Sequence, residues 1–161
     1  MKMIIQITML LLGAMLIVCQ ASADVAFSEY FKDQTMRLDY NHTGNATEEH
    51  FAIDRMVNDG TWAGSKQQLI DELKLGKYFF TIQEPQTGKV LYSRGYSSIY
   101  GEWETTSEAK EEWGVFHESV RFPWPRQKVK LVIYKRNKDQ DFEQVWEYMV
   151  DPDSRRVNPA E

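Results

Sequence analysis

Hydrophobic and polar positions alternate along the chain in short runs, most clearly from Phe116 to Pro125. In that run Phe116, Val120 and Phe122 fall on one side, and the residues between them are mainly polar. Strict alternation is typical of a half-buried strand. The two prolines around Trp124 are expected to end its pairing, because proline has no N–H to donate.

Similar alternation predicts six further strands. They span residues 35–40, 50–57, 78–83, 89–96, 127–136 and 142–150. In the second of them, Phe51, Ile53 and Val57 are placed on one side, and the polar stretch 41–49 before it is predicted as a loop. The proline and glycine in 84–88 predict a turn that makes 78–83 and 89–96 a hairpin. The glycine-bracketed aromatic segment Gly95–Thr106 is predicted as a bulged or irregular strand.

Two short helices are predicted between the strands. In Trp62–Leu75, Ser65 is placed to cap and Gln68 follows three residues later, as in a capping box. Gly76 is a typical residue to end such a helix. A single helical turn is predicted within Ser107–Trp113.

Seven or eight short strands with one or two helical inserts favour an all-β fold, an antiparallel β-sandwich. Residues 24–152 are assigned to this domain. From residue 153 the chain becomes rich in proline and charged residues, which is typical of a linker, so 153–161 is predicted to begin an interdomain linker.

The first 23 residues are predicted to be a signal peptide. Lys2 is followed by the uncharged run Met3–Val18 and then by Ala21-Ser22-Ala23, a small-x-small cleavage pattern. The run is shorter than the roughly 20 apolar residues that span a bilayer. The chain is therefore expected to be exported to a periplasm, a cell surface or the medium. Lipidation at Cys19 is less favoured, because the residue before it is not small.

The amino-acid composition limits the classes of partner that the chain can be expected to bind. Without the leader the chain has 18 basic and 24 acidic residues, a net charge of −6. This balance disfavours nucleic acid or an anionic membrane surface as a partner. The one cysteine lies in the leader, so no disulfide is expected. The 21 aromatic residues of the mature part can supply a core without one.

The sharpest catalytic candidate is His117-Glu118, the first half of the zinc motif His-Glu-x-x-His. The fifth position is Arg121, which cannot ligate zinc, and the motif needs a helix where the pattern predicts a strand. No metal, cofactor or catalytic residue is predicted. The carboxylates that flank Trp103 permit a weak glycosidase interpretation.

Glu118 falls on the inward side of the predicted strand, together with Phe116 and Val120. A buried carboxylate needs a partner. Arg94, at the end of the predicted hairpin, is predicted to form a structural ion pair with Glu118.

The tryptophans allow a binding function. Four of them are placed in turns or irregular segments: Trp62, Trp103, Trp113 and Trp124. Their rings could form a platform for a ligand, or they could pack the loops against the core. The segments around Trp103 and His117 are predicted to lie together on one face. The candidate interface or binding residues are Glu102, Trp103, His117, Arg121 and Trp124.

Three segments together carry a family resemblance: Tyr40–Phe51, Tyr100–Thr106 and Phe116–Pro125. In this order they resemble the N-terminal, non-catalytic domain of the bacterial IgA-peptidase-like zinc metallopeptidases, metallopeptidase family sixty-four. The resemblance covers almost all of residues 27–159. It implies an all-β domain that precedes a catalytic domain with a long His-Glu-x-x-His motif.

That catalytic motif does not occur in this chain, so no zinc ligand can be carried over. The resemblance predicts a secreted accessory domain, from a truncated gene or a fragment, that is not itself an enzyme. It would pack on a catalytic domain or help to present protein substrate. The alternative is a stand-alone module that binds a glycan or a protein. Independent hydrolytic activity is the weakest alternative.

Overall fold

The computed structural model describes residues 25–158, which form eight strands and two short helices. The predicted signal peptide and the last residues of the predicted linker lie outside the described part. The strands are β1 (Phe31–Gly44), β2 (Glu49–Asn58), β3 (Tyr78–Gln83), β4 (Val90–Tyr96), β5 (Gly114–Pro125), β6 (Val129–Arg136), β7 (Phe142–Val150) and β8 (Val157–Asn158). The helices are α1 (Phe27–Tyr30) and α2 (Ile99–Trp103), with a 3-10 turn at Glu108–Lys110. Neither described helix is long and apolar enough to cross a membrane.

The strands form two four-stranded sheets. Sheet A has the order β5-β1-β2-β8 and sheet B the order β4-β3-β6-β7. All pairings are antiparallel except that of the two-residue β8, which runs parallel to β2. The predicted all-β antiparallel sandwich is confirmed, and β8 adds a short strand in the stretch predicted as linker.

The core lies between the sheets and is built by the alternating residues of each strand. Val120 and Phe122 of β5 are buried at 3% and 0% exposure, as the pattern predicts. The prolines do not end the strand: β5 stays paired with β1 as far as Pro125 opposite Phe31. β5 is an edge strand that pairs only with β1 in this sheet. A proline on its unpaired side removes no hydrogen bond, because no neighbouring strand is there to accept one.

A bulge in β2 reverses one predicted orientation. Asp39 lies opposite Arg55 and Tyr40 opposite Ile53, so β2 has one extra residue at this point. Beyond the bulge the alternation shifts, and Met56 belongs to the core cluster while Val57 does not. The prediction that Val57 shares a side with Phe51 and Ile53 is therefore wrong, because an extra residue exchanges the two faces.

The predicted helix at 62–75 is absent: this stretch consists of bends and irregular backbone. Ser65 does accept hydrogen bonds from the N–H groups of Gln67 and Gln68, as a cap would. Further along, the Asp71 carboxylate accepts from three backbone N–H groups, those of Leu73, Lys74 and Gly95 of β4. Such local bonds compete with helical ones, and Leu73 is 76% exposed.

A helix occurs instead where an irregular strand was predicted. β4 ends at Tyr96, and α2 begins after Ser98, whose hydroxyl accepts from the N–H of Gly101. This is a side-chain N-cap. The 3-10 turn falls inside the predicted helical turn at 107–113.

Candidate functional site

The centre of the sandwich contains a fully buried histidine. β1 does not end at residue 40 as predicted but continues to Gly44, and its alternation places His42 inward after Tyr40. The imidazole has 0% exposure. It is stacked between the rings of Phe51 and Tyr100, at centroid distances of 4.1 and 3.9 Å. Its polar atoms must therefore be satisfied by protein groups.

Both ring nitrogens of His42 meet carboxylates. Nδ1 lies 3.1 Å from Glu118 Oε2, and Nε2 lies 2.9 Å from Glu49 Oε2. Burial lowers the pKa of His42, but the bonds to Glu118 and Glu49 outweigh it and raise the pKa above 6.5. Burial raises the pKa of each carboxyl, but the bond from His42 helps to hold both below 4.5. The arrangement is that of an imidazolium donating to two carboxylates.

Glu118 has further donors, and none of them is Arg94. The Tyr40 hydroxyl donates to Oε2 at 3.0 Å, and the N–H of Tyr100 donates to Oε1 at 3.2 Å. Among the ion pairs of residues 25–158, none joins Glu118 to Arg94, which is exposed on β4. Glu118 does have a buried partner, but the prediction that it is Arg94 is wrong. The partner is His42 of β1, whereas Arg94 lies on β4, an edge strand of the other sheet.

Glu49 extends the contacts toward sheet B. Its Oε2 also accepts from the Tyr78 hydroxyl at 2.9 Å, and its Oε1 accepts from Lys135 Nζ at 2.9 Å. Lys135 Nζ lies 2.7 Å from Oε2 of Glu104, and Lys77 Nζ contacts the other oxygen of that carboxylate. These bonds tie the β1–β2 turn and α2 to strands of sheet B.

We call this set the core network; its charged members are His42, Glu49, Lys77, Glu104, Glu118 and Lys135. With His42 protonated, three cations face three carboxylates. A buried charge without a partner is strongly destabilising, whereas a balanced set avoids most of that penalty. The protonation of His42 is therefore what makes the network neutral.

Tyrosine side chains separate the core network from the apolar core and bind it through their hydroxyl groups. Burial raises the pKa of Tyr40 and Tyr78 far above 10 and that of Tyr96 and Tyr100 well above it. Their hydroxyls therefore stay protonated. The hydroxyls of Tyr40 and Tyr96 are 3.1 Å apart, which links sheet A to sheet B.

One end of the core network reaches solvent in an open cleft of about 830 Å³. Glu49, Lys77, Glu104 and Lys135 line its floor, and residues of the β6–β7 turn line its rim. No aromatic ring is among the described residues that line this cleft. The groups that the floor of the cleft offers to a ligand are therefore lysine ammonium groups paired with glutamate carboxylates.

The structure separates the predicted interface residues. His117 and Arg121 are exposed on the outer face of sheet A, where they bind Asp54 at 3.0 Å and Asp59 at 2.7 Å. Trp124 is 8% exposed and belongs to the core cluster, so it cannot serve as a surface ring.

Trp103 and Glu102 lie at α2. Glu102 is exposed. Trp103 is half-buried and packs on Phe116, with ring centroids 5.3 Å apart. Phe116 is the neighbour of His117 in β5, but the two side chains point to opposite faces of sheet A. Trp103 and His117 therefore lie on opposite sides of β5, and the prediction that their segments lie together on one face is wrong.

The outer face of sheet A also brings three possible metal ligands together. Atoms of Asp39, Asp54 and His117 lie within 4.8 Å of one another. Both oxygens of Asp39, however, already accept from the guanidinium groups of Arg37 and Arg55 at 2.9 to 3.1 Å. The two positive charges oppose a cation, so this group fits an ion-pair network better than a metal centre.

Sequence reasoning did not identify the core network, although a signal was present. The three segments that carry the family resemblance contain Tyr40, His42, Glu49, Tyr100, Glu104 and Glu118. His42 follows a run of inward apolar residues at a spacing of two, which also places it inward. Lys135 of β6 and Lys77, the residue before β3, have no such signal, because an exposed lysine and a network lysine look alike in sequence.

Comparison with known proteins agrees with the resemblance. No curated protein matches the chain. A family model described as Peptidase M64 N-terminus matches residues 26–147, which is most of the chain. The chain therefore belongs to the family of N-terminal domains of M64 peptidases.

Proposed function

We propose that the chain is a secreted, non-catalytic accessory domain that packs on a peptidase catalytic domain and helps to present protein substrate to it. The observation that carries this proposal is the convergence of the three family segments into the core network. Their chemically active side chains bind one another inside the sandwich. Residues that hold a fold together in this way support a structural role for the family segments.

The histidines support the absence of catalysis by this domain. Each of the three in the chain has a carboxylate partner: His42 has two, His117 has Asp54 and His50 has Glu48. His42 is also closed off from solvent. A hydrolytic base must reach a substrate or a water, and a buried imidazolium with both N–H groups engaged does neither.

The outer face of sheet A is the surface that we assign to the catalytic domain. It carries a row of arginine and aspartate side chains in mutual contact, ending at Arg121 and His117. β8 returns the end of the described chain to the edge of this sheet, beside Met56 and Val57. In family members whose catalytic domain follows this domain, that domain would emerge next to this face.

The glycan-binding alternative has less support. A carbohydrate platform needs exposed rings near polar groups. Trp113 is 53% exposed, but its ring is stacked on His50 and is not among the residues that line the cleft. Trp124 is in the core and Trp103 is half-buried.

The test is a binding measurement between two purified proteins: residues 24–161 of this chain and the catalytic domain of an M64 peptidase, expressed separately. Calorimetry should detect a complex, and the domain should increase cleavage of a protein substrate more than of a short peptide. The double variant His117→Ala/Arg121→Ala should weaken binding about tenfold or more, since interface side chains that matter cost over about 1 kcal/mol each. The matched control is Lys130→Ala, a cation on the outer face of sheet B.

Binding that is lost equally in the control, or no complex with any M64 catalytic domain tested, would contradict the proposal. A second assay covers the enzyme question. The domain alone should cleave no protein substrate, with or without added zinc, and zinc-dependent cleavage by the pure domain would show that the assignment as an accessory domain is wrong.

A further inference from the structure

The open cleft is locally cationic, although the chain as a whole has a net charge of −5. Its lining contains four cations, Lys77, Lys135, Arg136 and Lys138, and three carboxylates, Glu49, Glu104 and Glu143. A local excess of one sign, opposite to that of the rest of the surface, attracts and orients a partner of the other sign.

The two lysines on the floor are held in position. Lys135 Nζ bridges Glu49 and Glu104 at 2.9 and 2.7 Å. Lys77 Nζ contacts Glu104 and donates to the carbonyl of Gly101 at 3.1 Å. An ammonium has three N–H donors, and these contacts engage two on each lysine. Among the described residues no third acceptor contacts either ammonium, and the side chains of Lys77 and Lys135 keep 34% and 21% exposure, so a ligand can reach them at a position fixed in advance.

The positive charges that no carboxylate of the lining compensates lie at the rim of the cleft. The guanidinium of Arg136 donates to three backbone carbonyls, those of Gly76, Gln140 and Lys74. Within residues 25–158 it forms no ion pair, and neither does Lys138, which is exposed in the β6–β7 turn. Carbonyl contacts fix the Arg136 side chain without neutralising it.

A free strand edge borders the same cleft. Glu143 and Val145 of β7 line it, and in the described part of the chain β7 pairs with β6 alone. An extended peptide can add to such an edge through main-chain hydrogen bonds while its side chains enter neighbouring pockets. This edge favours a polypeptide over a small anion.

We propose that the cleft binds a short acidic polypeptide segment in extended form. Its backbone lies along β7, and its carboxylates meet Lys138 at the rim and the third donors of Lys77 and Lys135 on the floor. A nucleic acid fits less well, because the domain is acidic and the described lining has no aromatic ring on which a base could stack.

The experiment is an NMR titration of isotope-labelled residues 24–161 with a capped hexaglutamate peptide at low ionic strength, and with capped hexaglutamine as the uncharged probe. Amide shifts should cluster at residues 76–77, 104–105 and 135–145. Lys138→Glu should weaken hexaglutamate binding about fivefold, because it removes one exposed ion pair and adds one repulsion. The control Lys32→Glu, at the far end of β1, should change the affinity less than about twofold.

Three results would overturn the proposal: shifts scattered over the surface, equal affinity for hexaglutamine, or unchanged affinity in Lys138→Glu. Tighter binding of a single-stranded oligonucleotide of equal charge at the same residues would also reject it. None of these outcomes depends on a catalytic domain, so the proposal stands or falls separately from the accessory role.

Discussion

Replacing Glu118 by glutamine tests the core network at its most buried carboxylate–imidazole contact. The variant keeps the shape of the side chain but removes the charge that faces Nδ1 of His42 at 3.1 Å. The network then has three cations and two carboxylates. Breaking a buried pair from one side costs about 3 kcal/mol or more, which for a domain of this size is a fall in Tm of about 10 °C.

The chain offers a matched control in Asp54→Asn. Asp54 also binds a histidine, His117, at 3.0 Å, but the side chains are 44% and 54% exposed. An exposed pair of this kind contributes about 0.5 kcal/mol or less. Urea unfolding followed by tryptophan fluorescence gives both free energies. The midpoint should shift strongly in the first variant and little in the second, with the slope m unchanged.

The pH dependence gives the sharper check. The pKa of His42 is raised above 6.5, so its contribution is complete below that pH and is lost as the pH rises through the folded-state pKa. The pKa values of Glu49 and Glu118 are lowered below 4.5, so their contribution is complete above that pH and is lost as the pH falls through the folded-state values. The difference in stability between wild type and Glu118→Gln should therefore be largest between these limits and decrease on either side.

A loss of stability in Glu118→Gln no larger than that in Asp54→Asn would contradict the role of the buried ion pair. A difference that grew as the pH rose from 6.5 to alkaline values would also contradict it, since Glu118 would then not favour the protonated form of His42 in the folded protein.

Three further predictions test the packing. Trp124→Ala should cost about 3–5 kcal/mol and Trp113→Ala less than about 1 kcal/mol, measured by urea unfolding, because the first ring is 8% and the second 53% exposed. In the segment predicted as a helix, Leu69→Ala should cost about 2–4 kcal/mol and Leu73→Ala almost nothing in Tm, since only Leu69 is buried; equal effects would mean that the segment packs as a helix. Gly44→Ala should lower Tm by several degrees, because its added methyl group would overlap the backbone of the next turn; an unchanged Tm would contradict this contact.

Strand positions and fold class could be predicted because each depends on local alternation. The inward set of β5 was recovered residue by residue. Val57 was placed on the wrong face because a bulge depends on how β2 pairs with β1, and pairing is not encoded within the ten residues of β2. The prediction of a helix at 62–75 failed for a related reason: the Asp71 carboxylate accepts from the N–H of Gly95 in β4, 24 residues further along the chain.

The site was predicted less well than the fold. Periodicity indicated that Glu118 faces inward and must have a partner, but it could not choose among the cations of the chain. His42 looked like a loop residue because polar neighbours surround it in sequence. In space those neighbours pair across β1, β2 and β5, and the two carboxylates arrive from different strands.

By itself, then, the sequence determined the alternating strands, the sandwich and, through the three segments, the family. Each depends on short stretches whose spacing has a direct physical meaning. The tertiary structure decided which buried charges meet, that Trp124 is core, and that a cationic cleft opens at one end of the network. These depend on register and on sheet stacking, which place Glu49 and Lys135 of the network, 86 positions apart in the chain, in hydrogen-bond contact.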